Sequence, residues 1–313
     1  MKYYLAPLEG ITTYVYRNAY HKYFRPMDKY FTPFIVPAID KKFNTREMKE
    51  LSKEHNEGLY VVPQLLTNNA EDFLKTAKDI AAFGYDELNL NLGCPSGTVV
   101  SKKKGSGFLA YPEELERFLD EIYSKADYKI SIKTRIGKDD PEEFERLMEI
   151  YNKFPLEELI VHPRVQKDLY KNTPNWDAYR LAYDTAKTEL CYNGDICACS
   201  DRDRLLKEFP NTECIMIGRG IIRNPALIGE LEDQGAPDLK NVLGFHDMIY
   251  DEYQRISSGE RNVLFKMKEF WSYIGLNFEG SEKLMKKIKK SERLKDYEAY
   301  VKAIFETCEW KRG

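Results

Sequence analysis

No Gly-x-Gly-x-x-Gly follows any apolar run of this 313-residue chain. That removes the dinucleotide-binding reading an open α/β sheet would invite. Long apolar runs are missing too: no window approaches the roughly 18 apolar residues a membrane span requires. Met1-Lys-Tyr-Tyr-Leu-Ala-Pro7 has no apolar core behind its charge, so neither a membrane anchor nor a signal peptide is expected. Cysteine is sparse, with six residues scattered outside any disulfide-framework spacing, which points to a reducing, cytoplasmic setting. Cys197-Ala-Cys199, with Cys191 nearby, lacks the two-residue gap and second pair of a zinc site, so no metal is expected. Neither sign of charge dominates. At a net charge of −3, nucleic-acid contact has to come from local patches and not from the global field.

What is present is alternation. Apolar, β-rich runs occur at Tyr3–Leu8, Phe31–Val36, Tyr60–Leu65, Glu87–Leu92, Lys129–Thr134, Glu158–His162, Glu189–Asn193 and Cys214–Gly218. Helical patterns lie between them. Ala70–Phe83 repeats Phe73, Leu74, Ala77, Ile80 and Ala81 on one face. Pro112–Tyr123 opens on a proline in its first turn, and Asp140–Tyr151 opens Asp-Pro-Glu-Glu. Eight strands, each followed by a helix at about 30-residue spacing, predict a (β/α)8 TIM barrel over residues 1–235. A doubly wound open sheet is the alternative, and it usually needs fewer strands. The alternation stops near Gly235-Ala-Pro-Asp238. Residues 236–313 read as an all-helical domain: His246–Ser257, Arg261–Ile274, Ser281–Ser291 and Lys295–Glu309. Within it Lys283, Lys286, Lys287, Lys289, Lys290, Arg293 and Lys295 form a basic run beside Leu284, Met285 and Ile288. Such a run is a solvated face or an RNA-backbone patch.

Chemistry in a barrel of this kind sits at the C-terminal ends of the strands. Here those ends are polar or glycine-rich at seven of eight positions: Ala6–Gly10, Pro63-Gln64, Asn91–Cys94, Lys133–Gly137, His162-Pro-Arg164, Asn193-Gly-Asp195 and Gly218-Arg-Gly220. The most informative is Asn89-Leu-Asn-Leu-Gly-Cys-Pro-Ser96. There a buried strand runs into a rigid turn and presents one thiol at its mouth.

In order, these ends resemble the tRNA-dihydrouridine synthases, FMN-dependent enzymes that reduce uridine in transfer RNA. The resemblance is carried by Ala6-Pro-Leu-Glu-Gly-Ile-Thr12, Cys94-Pro-Ser96, Gly105-Ser-Gly-Phe-Leu109, His162-Pro-Arg164 with Tyr170 and Trp176, Asn193-Gly-Asp-Ile196 and Ile217-Gly-Arg-Gly220. Leu8, Leu92, Pro163 and Gln166 depart from the usual pattern. The first two are apolar swaps that leave flavin binding intact. The last two bear on which nucleotide is chosen.

The resemblance implies a division of labour. Cys94 would be the proton donor, and so must stay a thiol. FMN would be held by Pro7, Leu8, Glu9, Gln64, Lys133, His162, Asn193, Gly194, Asp195, Gly218 and Arg219, with NADPH as electron donor. Asn91 would meet the uracil edge. Arg164, Lys102, Lys103, Lys104, Lys286, Lys287 and Lys290 would meet the D-loop of tRNA, whose target base must leave its stack. The expected protein is a cytoplasmic monomer. A barrel flavoenzyme on a small pyrimidine or enone, like the dihydroorotate dehydrogenases, is the alternative. So is an RNA-binding module with a vestigial flavin site. The basic tail speaks against the first, and intact Cys94, Lys133 and His162 against the second.

Overall fold

The computed structural model describes residues 1–38, 40 and 42–311. The chain divides into two compact units: Met1–Gly10, Asp28–Asp195 and Leu205–Ile217 form one, Ile11–Met27, Ile196–Arg204 and Gly218–Gly313 the other.

The first unit contains a single parallel sheet of nine strands: β1 (Lys2–Leu5), β2 (Lys29–Phe31), β3 (Val61–Val62), β4 (Gln64–Leu65), β5 (Glu87–Leu92), β6 (Lys129–Arg135), β7 (Leu159–His162), β8 (Leu190–Tyr192) and β9 (Cys214–Ile217). Their order is β3-β2-β1-β9-β8-β7-β6-β5-β4. The first strand pairs with the last, Lys2 with Cys214 through Leu5 with Ile217, so the sheet curls into a nearly closed TIM barrel. Nine strands stand where eight were expected because Pro63 has no amide hydrogen to donate to the ladder. It cuts Tyr60–Leu65 into β3 and β4. Prolines also shorten the second strand: β2 ends at Phe31, before Pro33, and beyond it only Ile35 makes an isolated bridge, to Leu65.

Tyr4, Ala6, Phe31, Val62, Ile160, Cys191, Cys214 and Met216 form one buried cluster of the barrel, a filled core and not a pore. Below it, Lys29 Nζ lies 3.0 Å from Glu87 and 3.6 Å from Glu158. Tyr4 Oη donates to Glu158 at 2.7 Å. Burial pushes the Glu158 carboxyl up to about 7.

The second unit is helical apart from a short antiparallel pair, Phe278–Glu279 with Glu309–Trp310. Its long helices are Leu239–Ile256, Glu260–Ile274, Glu282–Lys290 and Leu294–Thr307. Among the described residues no helix is long and apolar enough to cross a membrane.

Candidate active site

The turn after β5 is held by its main chain. Asn91 Oδ1 accepts from the amides of Gly93 (3.0 Å) and Cys94 (2.9 Å), while its Nδ2 donates to Gln64 Oε1 at 2.7 Å. Gln64 Nε2 donates to Asn89 Oδ1 and Asn89 Nδ2 to Ser131 Oγ. A buried amide ladder therefore runs up the barrel wall and ends on the cysteine's own N–H. On the other side, Cys94 O accepts from both the amide (3.1 Å) and the hydroxyl (2.8 Å) of Ser106. Gly105 makes that approach possible. Its φ is +55°, and a Cβ there would stand 2.8 Å from Cys94 O, so only glycine fits. Arg135 Nε donates to Gly93 O at 3.1 Å, and Gln166 Nε2 donates to Pro95 O at 3.3 Å. Four separate segments thus fix the residue that carries the thiol.

The thiol faces a cavity lined by Pro7, Leu8, Glu9, Asn91, Cys94, Lys133 and His162, with Arg135 and Tyr170 on its wall. The sequence had nominated the first seven, and the fold brings them together. Burial raises the Cys94 pKa. The Ser96 amide and the Arg135 and Lys133 charges oppose that without reversing it. The group is a thiol at neutral pH, suited to give a proton and not to attack as a thiolate.

Lys133 is the opposite case. It has no carboxylate partner among the described residues, and burial, aided by Arg135, drives its pKa down to about 8. A desolvated ammonium without a counter-charge is costly, and it fits a ligand that brings electron density to that point. His162 is buried, and its Nε2 lies 3.0 Å from Arg164 Nη1. A guanidinium only donates, so Nε2 is the acceptor and the ring proton sits on Nδ1. The His162 and Tyr170 rings stack at 6.1 Å.

Other nominated residues are placed elsewhere. Gln64 is fully buried and spends its amide on Asn89 and Asn91. Arg164, expected to face RNA, is 1% exposed. It pairs with Asp195 at 2.5 Å and donates to Asn172 O, so it braces the strand ends. Asn193 Nδ2 donates to Met216 O, tying β8 to β9. At Gly194 a Cβ would collide with the Tyr192 ring. Gly218 and Arg219 directly follow β9 and open the helix Arg219–Arg223 of the second unit. Lys102 and Lys103 are exposed and Lys104 half-buried; Lys103 sits 4.0 Å over the Tyr111 ring and 3.8 Å from Glu114. Lys286, Lys287 and Lys290 line one cavity with Tyr300 in the helical unit.

Arg135 was missed. It is 1% exposed, and its remaining donors reach Val165 O (2.9 Å) and Leu169 O (2.7 Å). Leu169 is held at φ +52°, a conformation a bulky residue adopts only under constraint. The one sequence signal was that Lys133-Thr-Arg135 puts two cations at alternate positions, hence on one face of a strand.

The chain is similar to known proteins in the same terms. Residues 4–308 match the model of the dihydrouridine synthase family. A probable tRNA-dihydrouridine synthase 2 of Bacillus subtilis is 29% identical over 263 residues, covering 80% of this chain and 78% of that protein. A probable tRNA-dihydrouridine synthase of Staphylococcus epidermidis is 30% identical over 275 residues, with the same coverage. Among solved structures, a morphinone reductase superposes with a TM-score of 0.54 at 12% identity, covering 78% of this chain and 90% of that one. That likeness bears on the barrel alone. With a family match spanning nearly the whole chain and a cysteine turn and lysine gathered at one barrel mouth, the chain belongs to the dihydrouridine synthase family.

Proposed function

We propose that this chain reduces the C5=C6 bond of a uridine in the D-loop of tRNA, using FMN, with NADPH as electron donor and Cys94 as the proton donor. The observation that carries the reading is the pairing, in one cavity, of a protonated thiol with a desolvated lysine that has no carboxylate partner among the described residues. When bound, FMN would supply hydride chemistry at carbon 6 of the uracil. Cys94 gives the proton to carbon 5, and its raised pKa keeps that proton in place until the base arrives. The bonds on either side of Cys94 hold the donor without a cost in reorganisation at the moment of transfer. Lys133 and His162, which line the cavity together, would hold the flavin, the lysine supplying positive charge to its reduced form. Pro7, Leu8 and Glu9 form the apolar and polar wall of the same cavity.

Asn193, Gly194, Asp195, Gly218 and Arg219 are proposed for the FMN phosphate, where backbone amides and a helix start suit an anion. Gln64 and Asn91 act through each other: the amide ladder orients Asn91 beside the thiol, where it can also meet the uracil edge. Arg164 serves by fixing His162. Residues 236–313 are assigned to tRNA binding, with Lys286, Lys287 and Lys290 as phosphate contacts, joined by Lys102, Lys103 and Lys104 near the barrel mouth. All five lysines of the helix Glu282–Lys290 are exposed, and none makes an ion pair among the described residues. That is the state expected of cations awaiting a polyanion. The protein is proposed to work as a cytoplasmic monomer.

The test is the absorbance spectrum of the purified protein, followed by anaerobic mixing of its reduced form with unmodified bulk tRNA. A yellow protein whose flavin is reoxidised as dihydrouridine appears supports the proposal. Bound flavin that ignores tRNA and reacts with a free pyrimidine overturns the substrate assignment. A colourless protein that cannot take up FMN overturns the chemistry.

A further inference from the structure

The helical unit also carries an apolar groove that the roles above leave unused. Its floor is Trp271 and Ile288, each 1% exposed, with Met285 beside them. Its wall is Phe265, 67% exposed and approached on its ring by Lys266 Nζ at 5.9 Å, an expensive display of apolar surface. The groove runs between the helices Glu260–Ile274 and Glu282–Lys290, and Lys286 and Lys289 stand on its rim. Lys268 Nζ donates to Ser291 O at 2.6 Å, which fixes the end of the second helix against the first.

The surroundings point to an occupant. Lys286 and Lys289 have no carboxylate partner among the described residues, whereas other helices of this chain pair their cations at one-turn spacing, Lys75 with Asp79 and Lys125 with Glu121. On the opposite flank of the same helix, Lys287 Nζ lies 5.3 Å over the Tyr300 ring. One ridge of cations with no ion pair among the described residues therefore runs between two aromatic surfaces. A ligand matching that arrangement has a flat apolar face next to regularly spaced negative charge, as a single-stranded nucleotide does.

We propose that this groove binds an unpaired nucleobase of the RNA substrate, stacked on Phe265 with the flanking phosphates on Lys286 and Lys289. The inference rests on the reading of the chain as a tRNA-modifying enzyme and deepens it. The tail would then grip a base outside the barrel, in addition to the sugar–phosphate backbone. Because stacking on an aromatic ring is indifferent to base identity, the groove would add affinity without fixing the sequence.

The test is fluorescence anisotropy of labelled unmodified tRNA against the full-length protein over a salt series. Phe265→Ala removes an exposed ring and leaves the core intact. It is expected to raise Kd about fivefold or more at every salt concentration, with the slope of log Kd against log salt unchanged. Phe265→Trp is expected to restore binding. The double variant Lys286→Gln with Lys289→Gln is expected to raise Kd and flatten that slope by about 1.5. If Phe265→Ala binds tRNA like the parent while the lysine variant weakens it, the base-stacking site is wrong and the RNA reading stands. The groove would then be open to a protein partner instead. If the parent protein itself shows no salt-dependent tRNA binding, the RNA reading falls and takes this inference with it.

Discussion

Replacing Lys133 with methionine should stabilise the flavin-free protein while weakening its hold on FMN. The ammonium has no carboxylate partner among the described residues, and burial lowers its pKa from 10.5 to about 8. A drop of that size corresponds to at most about 3.4 kcal/mol of penalty on the charged form, and to about 1–2 once partial solvent screening is allowed for. The sign follows from proton counting. Between about pH 8 and 10.5 the unfolded chain holds the lysine proton and the folded chain has released it, so this group's contribution to stability rises with pH across that window. Below pH 8 both states are charged and the full penalty stands. Urea denaturation of protein dialysed free of flavin should therefore find Lys133→Met about 1–2 kcal/mol more stable at pH 7, with the gap closing towards pH 10. Added FMN should reverse the order, because the parent recovers a counter-charge that methionine cannot use. A variant less stable than the parent at pH 7 without flavin would refute the reasoning, as would a gap independent of pH.

Cys94→Ala should keep its flavin absorbance and tRNA affinity and lose about 10²–10⁴ in the rate of uridine reduction, the range for removal of a positioned acid; turnover at the parent rate would end the proton-donor assignment. Gly105→Ala forces a side chain at φ +55° against Cys94 O, whereas Gly58→Ala meets the same strain at φ +77° with nothing within 4 Å. Gly58→Ala should unfold about 1 kcal/mol more easily and Gly105→Ala more easily still, and only Gly105→Ala should slow reduction, as single-turnover kinetics would show. At the base of the barrel, the Glu158 pKa is raised to about 7, so its contribution to stability is full below the unfolded value near 4.3 and drains away as pH rises through 7. Glu158→Gln should flatten the parent's fall in Tm between pH 5 and 7, and an unchanged slope would mean the buried carboxyl does not titrate there.

The barrel was legible because its strands and helices carry their own periodicity. Glu87–Leu92 and Pro112–Tyr123 were read with the boundaries they have, and the cysteine turn and Lys133 could be nominated from strand ends alone. Proline chemistry decided the misfits. The helix expected from Asp140 begins at Glu143, whose carboxylate turns back to accept from the amides of Lys138, Asp139 and Asp140. The arginines were not legible. The carbonyls that satisfy Arg135 come from Gly93, Val165 and Leu169, and the carboxylate on Arg164 comes from Asp195. No local pattern announces partners that far along the chain, so Arg164 read as an RNA contact and Arg135, though part of a polar strand end, received no role.

The ties that hold the cysteine turn have a consequence for experiment. Asn91, Ser106, Arg135 and Gln166 all grip main-chain atoms of residues 93–95, so the scaffold is indifferent to what the side chain at position 94 happens to be. Serine or selenocysteine there would sit on the same frame while spanning many orders of magnitude in acidity. Position 94 is in that sense a socket: reduction rates across such a series would trace how far the proton has moved at the barrier, uncontaminated by a shifting backbone.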